Sequence, residues 1–429
     1  MHMRRVVLIA CRTTLVALVL LALVRPARGQ TPATQALNSA VRVFLDCNFA
    51  CDEDYTRREI TFVDYVRDRT EADVHILITT QGTGGGGTEY TIKFIGLRRF
   101  EGVEQTLKQV TPASSTSDER RSALTEVLKR GLVRYVAESP LASRLRISVA
   151  DEDKAKTGQQ DATKDPWNLW AFEAELGGSV DGERSSKSHS LRAFFSANRT
   201  TDALKIRMSS NGSYRENQFE LSEGELFTST SRDFSTNVLI AKSLTAHWSA
   251  ALVGRISSST FVNQDLATRI AAGAEYDIFP YSESTRRLLT LQYTVGFDTF
   301  DYKEVTIYDR TSERLVDHKF QTSLSMRQPW GSSSAAVSMS QYLNKLDKYS
   351  IVAFGDASIR LFKGFSFNLF GEVARTRDQL YLPKGEATNE EILVRQRQLE
   401  TGYRYFMHFG ISYSFGSIFN NVVNPRFGG

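Results

Sequence analysis

The chain has 429 residues, 41% hydrophobic and 24% charged, enough for two domains or one large one. Its net charge is only +4, and its basic residues are interleaved with acidic ones. That pattern excludes a nucleic-acid binder built on a basic stripe.

The first elements are those of export. Arg4 and Arg5 precede apolar runs at 6–10 and 15–24, and Ala27-Arg28-Gly29 supplies small residues before Gln30. This order predicts a secretory signal peptide over 1–29. Leu8-Ile9-Ala10-Cys11 matches a lipoprotein cleavage box, but it interrupts the apolar region where such a box should close it. Cys47 and Cys51, the remaining cysteines, would then lie outside the cytoplasm, where disulfides persist. Two cysteines and His75 fall short of a structural zinc set. The C-x3-C spacing is one residue longer than a thioredoxin-like motif. A short local disulfide between Cys47 and Cys51 is the expectation.

Residues 40–150 read as an α+β domain. Strands are expected at 41–45, 73–80, 88–95 and 145–149, and helices at 52–67 and from Thr116 to about 136. Thr116 and Glu119 have capping-box spacing. Ala123, Leu124, Val127, Leu128, Leu132, Tyr135 and Val136 recur at helical spacing behind it. The run 82–87 contains G-x-G-x-x-G, but a nucleotide fingerprint needs a helix after it and here a strand follows. A hairpin tip is the better reading. Residues 151–166 are almost free of apolar side chains and read as a solvated linker.

From Trp167 the pattern changes to period-two alternation. Leu289, Leu291, Tyr293, Val295 and Phe297 share one face, opposite Thr290, Gln292, Thr294 and Asp298. Twelve such segments are expected, near 168–180, 188–199, 203–215, 229–243, 246–259, 265–279, 287–300, 314–328, 333–344, 349–362, 364–378 and 402–416. About ten tilted residues cross a bilayer core, whereas soluble sandwich strands are about half that length. Short junctions alternate with long polar ones at 216–228, 301–313 and 379–401, as in outer-membrane barrels. The expected architecture is therefore the α+β periplasmic domain followed by a transmembrane antiparallel β-barrel of about 12 strands over 167–416, with a tail at 417–429. An even strand number returns both barrel ends to the periplasm. Tyr413-Ser414-Phe415 ends the last strand in aromatics, although the tail follows it. Thr388-Asn389-Glu390-Glu391, followed by Ile392, Leu393 and Val394, predicts a short helix in the last external loop.

The alternation assigns Glu173, Glu175, Arg192, Lys205, Arg207, Arg255, Arg269, Glu275, Asp277, Asp356, Arg360, Glu372 and Arg404 to the lumen. A charge on the lipid face would cost roughly 2–4 kcal/mol at mid-membrane. Such an interior either braces a narrow barrel by salt bridges or forms a conduction path. His189, His247, His318 and His408 are scattered, no local nucleophile motif accompanies them, and only His408 is a candidate for catalysis. Neither a cofactor nor a metal site is expected.

The stretches DCNFACDEDYTRREITFVDYVRDRTEADVHILIT, FPYSESTRR, QPWGS and YSFGSIFNNVVNPRFG carry a resemblance. The chain resembles an uncharacterised group of bacterial outer-membrane β-barrel proteins with a small N-terminal periplasmic α/β domain. More loosely, residues 41–149 look like the amino-terminal α/β domain of the Tol-system propeller protein. The resemblance implies location and architecture, with outer-membrane lipid as the surroundings. It implies no activity. Three functions stay open: a channel or transporter for small solutes, an envelope-assembly protein that binds a periplasmic partner through residues 40–150, and an outer-membrane enzyme.

Overall fold

The computed structural model describes residues 40–47, 50–147, 165–220, 226–385, 400–419, 421 and 423. The expected signal peptide, nearly all of the linker and the expected helix after Thr388 lie outside these residues.

The N-terminal region is a five-stranded sheet with helices against it. Its strands are β1 (Val41–Asp46), β2 (Val63–Tyr65), β3 (Val74–Gly82), β4 (Thr88–Gly96) and β5 (Glu104–Thr111), in the order β2-β1-β3-β4-β5. β1 is parallel to β2 and β3, and β3-β4-β5 is an antiparallel meander. Helix α1 (Glu53–Glu59) starts at Asp52, whose carboxylate accepts from the Tyr55 amide at 2.9 Å. Glu53 and Asp54 then occupy its first turn, where the helix dipole favours anions. Helix α2 (Ser117–Ala137) opens with the expected capping box. Glu119 N donates to Thr116 Oγ1 at 3.2 Å, and Thr116 N donates to the Glu119 carboxylate at 2.7 Å. The buried face of α2, with Leu124, Leu128, Leu132 and Tyr135, packs on Val43, Ile76, Ile78, Ile92 and Phe94. Gly131 is the closest approach: a Cβ there would lie 2.0 Å from the Phe94 ring.

Three expectations are corrected here. The helix expected at 52–67 ends at Glu59. The β-branched and aromatic run from Ile60 to Val63 favours extended backbone, and β2 follows directly. β5 was missed because it is an edge strand with only one face on the core, so its sequence reads as polar. Residues 145–147 form no strand, and the rest of the segment expected at 145–149 lies outside the described residues. The glycine run is the β3–β4 hairpin, as its composition implied.

The rest of the chain forms one twelve-stranded sheet of barrel type. Its strands are β6 (Trp170–Gly182), β7 (Ser186–Thr200), β8 (Leu204–Glu220), β9 (Leu226–Ser243), β10 (Trp248–Ser259), β11 (Gln264–Asp277), β12 (Arg287–Tyr302), β13 (Ser312–Gln328), β14 (Gly331–Tyr342), β15 (Lys345–Phe362), β16 (Phe365–Thr376) and β17 (Tyr403–Tyr413). Each pairs antiparallel with its neighbours in chain order, the up-and-down connectivity of a barrel. All twelve expected segments are strands. Among the described residues β6 and β17 are not paired with each other, so the sheet has two free edges.

Loop asymmetry is weaker than the sequence suggested. β8 runs to Glu220 and β9 begins at Leu226, so most of the loop expected at 216–228 is strand. Backbone pairing satisfies the peptide groups there even where both faces are polar. On the same side, 343–344 is a two-residue connection, whereas 278–286 on the opposite side is long. The 377–402 connection does fold inward at its start. Leu380 and Leu382 are buried, Thr306 bridges Pro383, and Asn263 Nδ2 donates to Tyr381 O at 2.9 Å.

Candidate functional site

Two features stand out: one polar face of the large sheet, and the end of that sheet covered by the N-terminal domain. In an antiparallel ladder, directly opposed residues share a face. One transverse row runs Glu173, Ser196, Ser209, Asn237, Arg255, Arg269, Asp298. A second runs Ser249, Glu275, Gln292, Gln321, Ser338, Val352, Ala374, Arg404. Extending the register puts Glu175, Arg192, Lys205, Arg207, Asp277, Asp356, Arg360 and Glu372 on that same face. All thirteen charged positions singled out in the sequence therefore share one side of the sheet.

The face is electrostatically divided. On β11–β17 most of its charges are partnered, the exception among the thirteen being Asp277, whose Oδ1 is buried without a hydrogen-bond partner among the described residues. Arg269 Nη2 donates to Asp317 Oδ2 at 3.1 Å, with Asp298 at 3.8 Å from its Nε. Arg404 Nε donates to Glu372 at 3.0 Å. Glu275 accepts from Gln292, and Asp356 from Ser334. On β6–β10, Glu173, Glu175, Arg192, Lys205, Arg207 and Arg255 have no ion pair among the described residues. There the face opens into a cavity of about 660 Å³, lined by Glu175, Arg192, Asp233, Arg255 and several serines. The buried Asp317 and the exposed Lys319, which complete the cluster with Arg269, were not singled out in the sequence. The outward-facing His318 between them breaks the apolar alternation that would have marked them.

The histidines do not converge. His408 lies on the polar face against the Phe370 and Phe406 rings. His318 is on the other face, bonded to Tyr293 and Gln341. His247 sits in the β9–β10 turn and meets the Asp277 carbonyl at 2.6 Å. His189 pairs with Val180 on the outer face.

The N-terminal domain packs across the end of the sheet where β7–β8, β9–β10, β11–β12, β13–β14 and β15–β16 turn. The β3–β4 tip reaches the β7–β8 turn so closely that a Cβ at Gly84 would lie 2.6 Å from Thr200 Cβ. Ser284 in the β11–β12 turn donates to Gln81 at 3.3 Å. Next to the β13–β14 turn, Arg360 forks onto Asp46, with Nη1–Oδ2 at 2.6 Å and Nη2–Oδ1 at 2.8 Å, and its guanidinium lies 5.1 Å from the Phe44 ring centroid. At the β15–β16 turn, Gly364 N donates to Asp68 at 2.7 Å and Lys363 pairs with Glu71. Beyond β17, Arg67 donates to Phe415 O at 2.8 Å, Val66 bridges Phe419, and Asn421 bonds Asp64 at 2.8 Å. Each of the stretches that carry the sequence resemblance contributes described residues to this contact, among them Asp46, Ser284, Gln328 and Phe415.

Asp46 is the electrostatic centre of the contact. Burial alone would raise its pKa, but hydrogen bonds from Arg360 and His75 outweigh it and hold the carboxyl down at about 2. His75 is fully buried, with Nε2 3.1 Å from Asp46; burial pushes its pKa down, so the ring stays neutral at pH 7. Cys47, next in the chain, forms the expected disulfide with Cys51, which closes the loop between β1 and α1.

No protein-family model and no curated protein sequence matches the chain. Solved structures similar to it include the NanC porin, at 9% identity over 56% of this chain and 99% of that one, with a TM-score of 0.28. The translocator domain of the autotransporter NalP from Neisseria meningitidis matches at 12% identity over 57% of this chain and 87% of that one, with a TM-score of 0.28. The beta domain of the Bordetella autotransporter Brka matches at 12% identity, 57% and 98% coverage, and a TM-score of 0.25. At these scores the likeness carries no argument, and the fold rests on strand order and register.

Proposed function

We propose that the chain is an outer-membrane β-barrel that conducts small polar solutes, with its α/β domain capping the periplasmic mouth. The observation that carries this is the segregation of faces. The face opposite the thirteen charges is apolar and bare, with Leu176, Ile270 and Phe409 each more than 70% exposed. In water such a surface is unfavourable, whereas in lipid it needs no cover. The strands have 11 to 18 residues, long enough to cross the roughly 9–11 residues of bilayer core. An even strand number makes β6 and β17 antiparallel, so in lipid they can pair and close the ring. Both barrel ends then lie on the side of the capping domain.

Planar bilayer recording and liposome uptake test the reading. Purified full-length protein should give discrete conductance steps and admit small polar solutes. Absence of both would overturn it. A second reading, an assembly protein that binds a periplasmic partner, is favoured by one observation: β5 is an unpaired sheet edge on the α/β domain. Such an edge can accept an added strand. Envelope pull-down with the full chain, with and without Val110→Pro on that edge, tests it. Equal recovery of bound proteins would count against it.

A further inference from the structure

Between the α/β domain and the β13–β14 and β15–β16 turns lies a cleft of about 240 Å³. Arg67, Asp68 and Arg69 line one wall, and Trp330, Phe362 and Lys363 the other. Its charges do not cancel. Lys363 is neutralised by Glu71, and Arg360 by Asp46. Asp68 is occupied by the Gly364 amide and by Thr70. Among the described residues Arg67 bonds only to neutral carbonyls, and its Nε is buried with no hydrogen-bond partner. The Arg69 guanidinium has no partner among the described residues. Two uncompensated cations against one carboxylate leave the cleft one positive charge, with unused donors.

The cleft opens beside the apolar face of the barrel. Phe362 is 63% exposed and stacks on Phe365 at 4.6 Å, and Tyr413 and Phe415 continue the exposed aromatic stripe. Aromatic rings at a strand end mark the level of lipid headgroups, where a ring contacts acyl chain on one side and polar groups on the other. Unpaired guanidiniums at that level match a phosphodiester, which they can bind through parallel N–H donors.

We infer that this cleft binds one phospholipid of the inner leaflet. Its phosphodiester sits on the Arg69 guanidinium beside the charge of Arg67, and its acyl chains lie along the stripe from Phe362 to Phe415. The lipid then touches barrel and cap together and fastens the closed arrangement. This rests on the membrane reading above.

The test is native mass spectrometry of detergent-purified full-length protein titrated with phosphatidylglycerol. Wild type should retain one lipid. Arg69→Gln, which loses no hydrogen bond or ion pair among the described residues, should bind it about tenfold more weakly, the loss of roughly one charge-assisted hydrogen bond. Arg58→Gln, which removes the same charge from an exposed position on α1, should bind as wild type does. Inorganic phosphate at the same concentration should fail to displace the lipid. Equal affinity in Arg69→Gln would overturn the site, and displacement by inorganic phosphate would reassign it to a free anion. Failure of the membrane reading shows separately, as absent conductance.

Discussion

Arg360 gives the most direct test of the capped arrangement. Its two bonds to Asp46 join parts of the chain 314 residues apart, and no other Lys or Arg among the described residues touches that carboxylate. Asp46 is only 6% exposed, and Arg360 34%. Holding the carboxyl down at about 2, from an ordinary 3.8, corresponds to about 2 kcal/mol, shared with His75. Arg360→Met removes the larger share and also strands a buried carboxylate. Breaking a fully buried pair costs about 3–5 kcal/mol, but partial exposure of Arg360 lets water replace some of the loss. The expected loosening is about 2 kcal/mol, which raises the undocked fraction roughly thirtyfold. A cysteine pair at Gln81 and Ser284 reports docking, because these side chains already touch. Its oxidation should be fast in the parent and strongly slowed by Arg360→Met, with Arg360→Lys between them. The sign with pH follows from the lowered pKa: the contribution is complete above the ordinary carboxylate range near pH 4 and is lost as pH falls toward 2. Equal cross-linking rates in parent and Arg360→Met, or a docking loss already complete at pH 6, would refute the reasoning.

Other perturbations have defined outcomes. Gly131→Ala should destabilise the α/β domain by roughly 1–3 kcal/mol, because the Phe94 ring it meets is fully buried and cannot swing away; hydrogen exchange in β4 reads this. Replacing Cys47 and Cys51 by serine opens a five-residue loop and should cost about 2 kcal/mol, seen as faster exchange in β1. Arg192→Gln with Arg255→Gln removes two unpaired cations from the wide cavity, so the reversal potential in a salt gradient should shift toward cation selectivity. Leu252→Arg, on the bare apolar face of β10, should cost roughly 2–4 kcal/mol of barrel stability in lipid and leave selectivity unchanged.

Local periodicity made the large sheet legible. Leu289 to Phe297 states its two faces in nine residues, and the same alternation elsewhere separated the thirteen charges from the apolar side. The start of α2 was equally plain, because Thr116 and Glu119 act within one turn. β5 and β2 were not legible. An edge strand with one covered face and a three-residue strand after a helix carry too few apolar positions to rise above polar loop sequence. The docking contact was invisible for a different reason. Asp46 and Arg360 are ordinary charges in their own segments, and only the fold makes them partners. Gly84 shows the same limit: it looked like one flexible residue among several, yet the approach of Thr200 leaves no room for a side chain.

The return of the segment beyond β17 to β2 has a consequence for biogenesis. The outer edge of β2 is met by Asn421, Val66 just beyond the strand bridges Phe419, and Arg67 is held by Phe415. These residues are synthesised some 350 positions after the strand they cover. The α/β domain can fold as soon as it emerges, but its docking surface cannot be complete until the final strand and the segment beyond it are in place. Capping is therefore graded by completion: a barrel that lacks its last strand keeps Arg360, Lys363 and Ser284 but loses the contacts of Phe415, Phe419 and Asn421 with the domain.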